Sequence, residues 1–126
     1  MSTILIVEDN EKNMKLVRDI LQHQGHATLE AVTGTDGVRI AKKAKPDLVL
    51  MDIQLPDIDG IAALRQIRAE PQLDAMPVLA VSASVMPDEQ QKIVSSGFDG
   101  FITKPIQLKL FREAVQRCLA EGRRPR

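Results

Sequence analysis

The chain has 126 residues, of which 44% are hydrophobic, so it suits one domain with a single sizeable core. Seventeen Lys and Arg match seventeen Asp and Glu, and this zero net charge gives no overall field that favours nucleic acid or an anionic membrane. One cysteine excludes an internal disulfide, no signal-peptide pattern precedes Glu8, and no stretch approaches the ~20 apolar residues that span a bilayer. We therefore expect a cytoplasmic protein.

Five short apolar runs recur along the chain and predict strands. They cover residues 3–7, 27–32, 47–51, 77–82 and 100–103. The middle runs are apolar throughout, as buried central strands are, whereas Thr28 and Glu30 interrupt the second run, as is typical of an edge strand. The pattern therefore predicts which strands lie inside the sheet.

Segments of helical period lie between these runs. Asn10 is placed to cap the first predicted helix and Gly25 to end it. The second and third cover residues 34–44 and 60–69, and Pro87 occupies the first turn of the fourth. The last helix carries an apolar stripe of Leu108, Phe111, Val115 and Cys118, in which Phe111 and Cys118 are predicted to be core.

This alternation predicts a doubly wound α/β fold, because parallel βαβ units with right-handed crossovers place helices on both faces of one open sheet. The buried middle runs and the interrupted second run favour the strand order 2-1-3-4-5. That order reverses the winding direction between strands one and three. The ligand crevice is therefore expected at the carboxyl ends of those two strands.

The apolar run at 47–51 ends abruptly in a carboxylate, Asp52. An ionised carboxylate at the edge of an apolar core costs free energy unless a cation, a donor or some chemistry compensates it. Glu8 and Asp9 follow strand one, Ser82 ends strand four and Lys104 follows strand five. A parallel sheet brings all of these residues to its carboxyl edge.

Three neighbouring carboxylates repel one another unless a divalent cation enters, and a few carboxylates with room for water and phosphate oxygens suit Mg²⁺. The alternative is that Glu8 and Asp9 are ordinary loop acids near a helix start. That alternative leaves Asp52 and Lys104 without an explanation. A metal, a carboxylate, a hydroxyl and an ammonium are the groups that phosphoryl transfer to an aspartate needs.

Four segments resemble the signature blocks of two-component response-regulator receiver domains, in order and at similar spacing from end to end: ILIVEDN (4–10), DLVLMDIQLPDIDG (47–60), VSA (81–83) and FITKP (101–105). Two longer segments, VEDNEKNMKLVRDILQHQGH (7–26) and PDLVLMDIQLPDIDG (46–60), also resemble single-domain cell-division regulators of the DivK type. The resemblance implies a flavodoxin-like, CheY-like fold, with the receiver domain at 1–121 and a short basic tail at 122–126.

The resemblance also implies roles for individual residues. Asp52 would be the phosphoacceptor, with Lys104 and Ser82 as its catalytic partners. Mg²⁺, for which Mn²⁺ can substitute, would be bound by Asp9, Asp52 and the Gln54 backbone carbonyl, with Glu8 assisting. Ser82 and Phe101 would form the switch, although Phe101 is as readily interpreted as simple core. Gln54 and Ser84 would tune dephosphorylation.

Ser82 departs from the family pattern, in which Thr is common. Serine keeps the hydroxyl but loses the methyl group that restricts its rotamer, so the expected switch is looser.

Output is expected to pass through protein contacts, because only a few residues follow the last predicted helix. The resemblance implies a sensor histidine kinase or phosphatase and downstream proteins as partners, and a monomer or weak dimer. The implied partner face comprises Val85, Met86, Phe101 and Ile106, although partial burial explains Val85 and Met86 equally well.

Enzymatic alternatives fit less well than a switch that only phosphorylates itself and slowly loses the phosphoryl group. An aspartyl-phosphate phosphatase commonly has a second acid two residues after its nucleophile, where this chain has Gln54. The glycine motifs of nucleotide-binding enzymes do not occur in the sequence. A phosphorylation-independent receiver scaffold stays open as a third reading.

Overall fold

A computed structural model describes residues 2–83 and 86–122 of the chain. Its strands are β1 (Thr3–Val7), β2 (Ala27–Ala31), β3 (Leu48–Asp52), β4 (Val78–Ser82) and β5 (Phe101–Thr103). They form one parallel sheet in the order β2-β1-β3-β4-β5. The predicted fold class and strand order are therefore confirmed.

Helices connect the strands, as the periodicity predicted. They are α1 (Glu11–His23), α2 (Gly34–Ala44), α3 (Gly60–Arg68), α4 (Pro87–Ser95) and α5 (Leu108–Glu121). The Asn10 side chain accepts a hydrogen bond from the Asn13 amide at 3.1 Å and so caps α1, which confirms that prediction. A short 3₁₀ turn, Pro71–Leu73, was not predicted.

Two apolar layers hold the sheet between its helices. One layer packs α2, α3 and α4 against the sheet and includes Val7, Met51 and Leu64. The other packs α1 and α5 against the opposite face and includes Leu21 and Phe111. Every residue of β3 and β4 is buried, whereas β2 leaves Ala27 and Glu30 exposed. This burial matches the predicted central and edge strands.

The predicted apolar stripe of α5 is buried at three of its four positions, and the core prediction for Phe111 and Cys118 is confirmed. Phe111, Val115 and Cys118 are fully buried, but Leu108 is 53% exposed. Leu108 is the first residue of α5 and lines an open groove with Ile20 of α1 instead of entering the core. Helical spacing defines a face, but not how far along a helix that face stays covered.

A buried ion pair closes the amino edge of the sheet. Asp99, which lies just before β5, is 2% exposed. Its Oδ2 accepts hydrogen bonds from the Val78 amide at 2.8 Å and from Arg68 Nη2 at 3.0 Å. Arg68 Nη1 also donates to the Met76 carbonyl at 2.6 Å. This amino-edge ion pair, Arg68–Asp99, ties α3 to the start of β4 and to the approach to β5.

Candidate functional site

The carboxyl edge of the sheet collects the polar residues that the sequence places after its strands. Glu8 directly follows β1, Asp52 ends β3 and Ser82 ends β4. Lys104 follows β5, and its amide donates to the Ser82 carbonyl at 2.9 Å. These residues lie where the strand order reverses direction between β1 and β3.

Lys104 bridges the two buried acids at this edge. Its Nζ lies 2.9 Å from Asp52 Oδ2 and 2.9 Å from Glu8 Oε1. The exposed fractions of these side chains are 17% for Lys104, 6% for Asp52 and 5% for Glu8. Low solvent access strengthens the attraction between unlike charges and also the repulsion between the two carboxylates.

Backbone amides fix the orientation of both carboxylates. Asp52 Oδ1 accepts from the Gln54 amide at 3.0 Å, and Glu8 Oε2 accepts from the Asn10 amide at 3.2 Å. Gly60 lets α3 begin against the end of β3, because a Cβ at that position would lie 2.5 Å from the Asp52 carbonyl oxygen. The site is therefore built from the ends of strands and the first turns of the loops that follow.

The third acid, Asp9, completes a cluster that can hold a metal. Glu8, Asp9 and Asp52 each offer a carboxylate oxygen, and these oxygens all lie within 4.8 Å of one another. Asp9 is exposed, whereas the other two are buried. Hard oxygen ligands at such separations suit Mg²⁺, whose coordination shell keeps places for water and phosphate oxygens.

The electrostatics of the cluster reflect surplus negative charge. Burial, followed by the hydrogen bond with Asp52, raises the pKa of Glu8 from its ordinary value of 4.5 to about 7. Burial works to lower the pKa of the Lys104 ammonium, but its hydrogen bonds to Glu8 and Asp52 outweigh burial, so the net effect is a raised pKa. Lys104 therefore stays charged while Glu8 titrates near neutral pH.

The remaining predicted residues lie around this cluster. Ser82 is buried at the end of β4, and Gln54 is exposed beside Asp52. Phe101 is half-buried and lines a depression of about 280 Å³ with Thr103 and Leu110. On the predicted partner face, Met86 is 61% exposed and Ile106 is half-buried against the core. Ser84, Val85 and the tail residues 123–126 lie outside the described residues.

Sequence reasoning missed three contacts of functional interest. It assigned Glu8 to a metal and Lys104 to a phosphate, without the direct Lys104–Glu8 ion pair. It also missed the amino-edge ion pair and the long-range hydrogen bonds of Asp57, which lies in the loop after β3. The only signal for Asp57 was its place between the site and α3.

The geometry defines a doubly wound α/β domain with a carboxylate site at the switch point of the sheet. The response regulator receiver domain family matches residues 4–116. Together with the strand order, this match shows that the chain belongs to the response regulator receiver domain family, whose members are signalling proteins.

Curated relatives agree with this assignment. Polar-differentiation response regulators DivK from Brucella anthropi and Brucella ovis are each 36% identical to the chain over 120 residues. Each alignment covers 95% of this chain and 98% of the relative. The similarity therefore extends over almost the whole of both proteins.

Solved structures agree as well. The receiver domain of a sensor histidine kinase from Pseudomonas aeruginosa PAO1 has a TM-score of 0.89 and 28% identity, over 95% of this chain and 98% of that one. That crystal structure has a magnesium ion coordinated in its active site cleft. The chemotaxis response regulator CheY4 of Vibrio cholerae has a TM-score of 0.87 and 25% identity, over 93% of this chain and 98% of that one.

Among the helices within residues 2–83 and 86–122, none combines the length and the apolar character that crossing a membrane requires.

Proposed function

We propose that the protein is a phosphorelay switch that accepts a phosphoryl group on Asp52 and signals through a phosphorylation-dependent contact with another protein. The observation that carries the proposal is the setting of Asp52, a buried carboxylate 2.9 Å from the Lys104 ammonium and beside two further acids. A nucleophile, a cation and a metal-binding cluster meet at this one point. These are the groups that phosphoryl transfer needs.

The residues at this edge fit a Mg²⁺ ion. Asp9, Asp52 and the Gln54 backbone carbonyl would hold it, with Glu8 assisting, and their hard oxygens would accept Mn²⁺ as well. The close carboxylates support the fit, because a cation would relieve their repulsion. The pKa of Glu8, raised by burial and then by the hydrogen bond with Asp52, agrees with such a site. When bound, the ion supplies charge neutralisation for the phosphoryl oxygens.

Transfer begins when an Asp52 oxygen attacks the phosphorus of a phosphohistidine on a sensor histidine kinase. The new O–P bond forms as the P–N bond breaks, and the departing imidazole keeps the electron pair and takes up a proton. Lys104, already bonded to Asp52 Oδ2, stays beside the transferred group and neutralises one of its oxygens. The Gln54 side chain, with Ser84, controls how water reaches the acyl phosphate and so its hydrolysis.

The signal leaves through Ser82 and Phe101. A phosphoryl oxygen on Asp52 accepts a hydrogen bond from the Ser82 hydroxyl, and the Phe101 ring moves into the space that this hydroxyl vacates. Phe101 supports this role because its ring is only half-buried and borders an open depression. The change alters the face that includes Val85, Met86 and Ile106, which the downstream partner binds.

The proposed cellular role rests on the DivK relatives described above. Proteins 36% identical over nearly their whole length are polar-differentiation regulators, so we place this protein in cell-division or polarity control. It would work in the cytoplasm as a monomer or weak dimer, with a sensor histidine kinase or phosphatase as its upstream partner.

Intact-mass analysis after incubation with Mg²⁺ and acetyl phosphate tests the proposal. The wild type gains one phosphoryl group, Asp52→Asn gains none, and the neighbouring Asp59→Asn gains one as the matched control. If the wild type stays unmodified both with acetyl phosphate and with a phosphorylated kinase, the protein is better explained as a phosphorylation-independent scaffold. Steady turnover of an added phosphomonoester would instead favour the phosphatase.

A further inference from the structure

The loop between β3 and α3 carries a carboxylate that reaches a different helix. Asp57 Oδ1 accepts from the Gly34 amide at 2.8 Å, and its Oδ2 accepts from the Thr35 amide at 2.9 Å. Gly34 and Thr35 are the first two residues of α2, more than 20 positions earlier in the chain. Asp57 therefore joins the loop after Asp52 to α2, which packs on the same face of the sheet as α3.

The contact suits an ionised carboxylate. Amides in the first turn of a helix have no partner within that helix, and the helix dipole favours negative charge there. Thr33 satisfies the Asp36 amide at 3.1 Å, and Asp57 satisfies the two amides before it. The Thr35 side chain and these amides hold the pKa of Asp57 well below its usual range. The contact therefore persists at neutral pH.

The rest of the loop is anchored at its two ends and by the side chains of Leu55 and Ile58, which pack against the core. The Gln54 amide donates to Asp52 at its start, and Asp59 caps α3 by accepting from the Ala62 amide at 2.8 Å. Ile58 packs so closely on Gly34 that a Cβ there would lie 2.6 Å from Ile58 Cγ1. Asp57 and Ile58 thus hold the middle of the loop against α2.

We propose that Asp57 is a positioning residue that clamps this loop to α2 and thereby fixes the Gln54 backbone beside the acidic cluster. The inference rests on the proposed function, in which the Gln54 carbonyl is a Mg²⁺ ligand. Without the clamp, metal binding must itself order the loop, and that cost lowers affinity. Supporting partners of metal ligands typically change metal affinity by about 10- to 100-fold when removed.

Asp59 provides a matched control within the same loop. It is also an exposed acid that accepts a backbone amide at 2.8 Å, but its partner is Ala62 of its own helix. Asp59→Ala removes a helix cap and leaves the link to α2 intact. Asp57→Asn keeps one acceptor oxygen and loses the charge, so its effect should fall between those of wild type and Asp57→Ala.

Mg²⁺ titration by NMR, with amide hydrogen exchange of the metal-free protein, tests the clamp. Asp57→Ala should weaken Mg²⁺ binding about tenfold, whereas Asp59→Ala should change it less than about twofold. Exchange at Gly34, Thr35 and Gln54 should accelerate in Asp57→Ala and not in Asp59→Ala. The Mg²⁺ concentration for half-maximal phosphorylation should rise about tenfold in Asp57→Ala, with a smaller change in the rate at saturation.

The exchange data separate failure of the clamp from failure of the proposed function. If the wild type binds no Mg²⁺ and accepts no phosphoryl group, the proposed function fails, and Gln54 exchange alone decides whether Asp57 positions the loop. Unchanged Gln54 exchange in Asp57→Ala would overturn the clamp. Equal Mg²⁺ affinities for wild type and Asp57→Ala, or equal losses in Asp57→Ala and Asp59→Ala, would overturn it too.

Discussion

The two edges of the sheet both bury acids against a cation, but they differ in how the charges match. At the amino edge, Asp99 faces the Arg68 guanidinium and also accepts the Val78 amide. At the carboxyl edge, Glu8 and Asp52 share the single ammonium of Lys104, and Asp9 lies nearby. Among the described residues, the direct ion pair at the amino edge joins one carboxylate to one guanidinium, whereas the acids at the carboxyl edge outnumber the ammonium that they share.

The difference separates a structural ion pair from a functional site. A buried pair held by several hydrogen bonds adds rigidity, and the loss of one partner exposes an uncompensated charge. A cluster with surplus charge costs free energy in the isolated protein, and the raised pKa of Glu8 reflects first its burial and then its contact with Asp52. Such a cluster is expected where a cation or a reacting group relieves the repulsion.

The largest expected effect comes from isosteric removal of one charge at each edge. Asp99→Asn should lower the free energy of unfolding by about 3 to 5 kcal/mol, because it leaves the Arg68 guanidinium buried without its partner charge. Asp52→Asn should leave the metal-free protein as stable or more stable, because Lys104 keeps Glu8 and a repelling carboxylate is gone. Urea unfolding followed by circular dichroism measures both, and equal destabilisation would contradict the comparison.

The pH dependence of metal-free stability should be the next largest effect. Folding raises the pKa of Glu8 from 4.5 to about 7, so the native state binds more protons than the unfolded state between these values. Stability should therefore fall as pH rises through this interval, by up to about 3 kcal/mol for Glu8 alone. Urea unfolding across this range measures the slope, and Glu8→Gln is the control that should flatten it. If stability depends on pH equally in the wild type and in Glu8→Gln, Glu8 does not have a raised pKa in the native state.

Magnesium should stabilise the carboxyl edge and leave the amino edge unaffected. At ten times its dissociation constant, Mg²⁺ should add about 1.4 kcal/mol to the free energy of unfolding, because it binds the native state. Asp99→Asn should keep this gain and Asp52→Asn should lose most of it. Thermal unfolding with and without the metal gives the comparison. A wild type indifferent to Mg²⁺, Mn²⁺ and Ca²⁺ alike would argue against the metal site.

The smallest effect on stability is expected at Ser82. Ser82→Ala removes one hydroxyl and should cost about 1 kcal/mol or less. It should still accept a phosphoryl group on Asp52, but its Phe101 resonances should shift far less on phosphorylation than those of wild type. NMR of labelled Phe101 is the measurement, since the chain has no Trp or Tyr to report by fluorescence. A full Phe101 response in Ser82→Ala would show that the hydroxyl does not transmit the signal.

Local patterns were enough to predict the strands, the helices and the strand order. The fully apolar runs of β3 and β4 and the interrupted run of β2 follow directly from burial, and Asn10 follows from the capping preference. Leu108 belongs to the apolar stripe of α5 but is exposed, because periodicity does not define where a helix leaves the core. The positions of Asp52, Glu8 and Lys104 at one edge follow from topology alone.

The long-range side-chain contacts could not be predicted in the same way. Arg68 and Asp99 are 31 positions apart, and Asp57 bonds to amides 22 and 23 positions earlier. Such contacts depend on how far each helix extends over the sheet, which hydrophobic spacing does not define. The Lys104–Glu8 ion pair was also not predicted, because the sequence suggested a separate role for each residue: metal binding for Glu8 and phosphate binding for Lys104.

The most direct test of a buried acidic cluster that binds metal at the carboxyl edge is an NMR titration of the Glu8 side-chain carboxyl, with and without Mg²⁺. We expect the Glu8 carboxyl to have a pKa of about 7 in the metal-free protein. Saturating Mg²⁺ should lower that pKa markedly, because the ion favours the ionised carboxylate. An ordinary pKa near 4.5 in the metal-free protein, unchanged by Mg²⁺, would contradict this expectation.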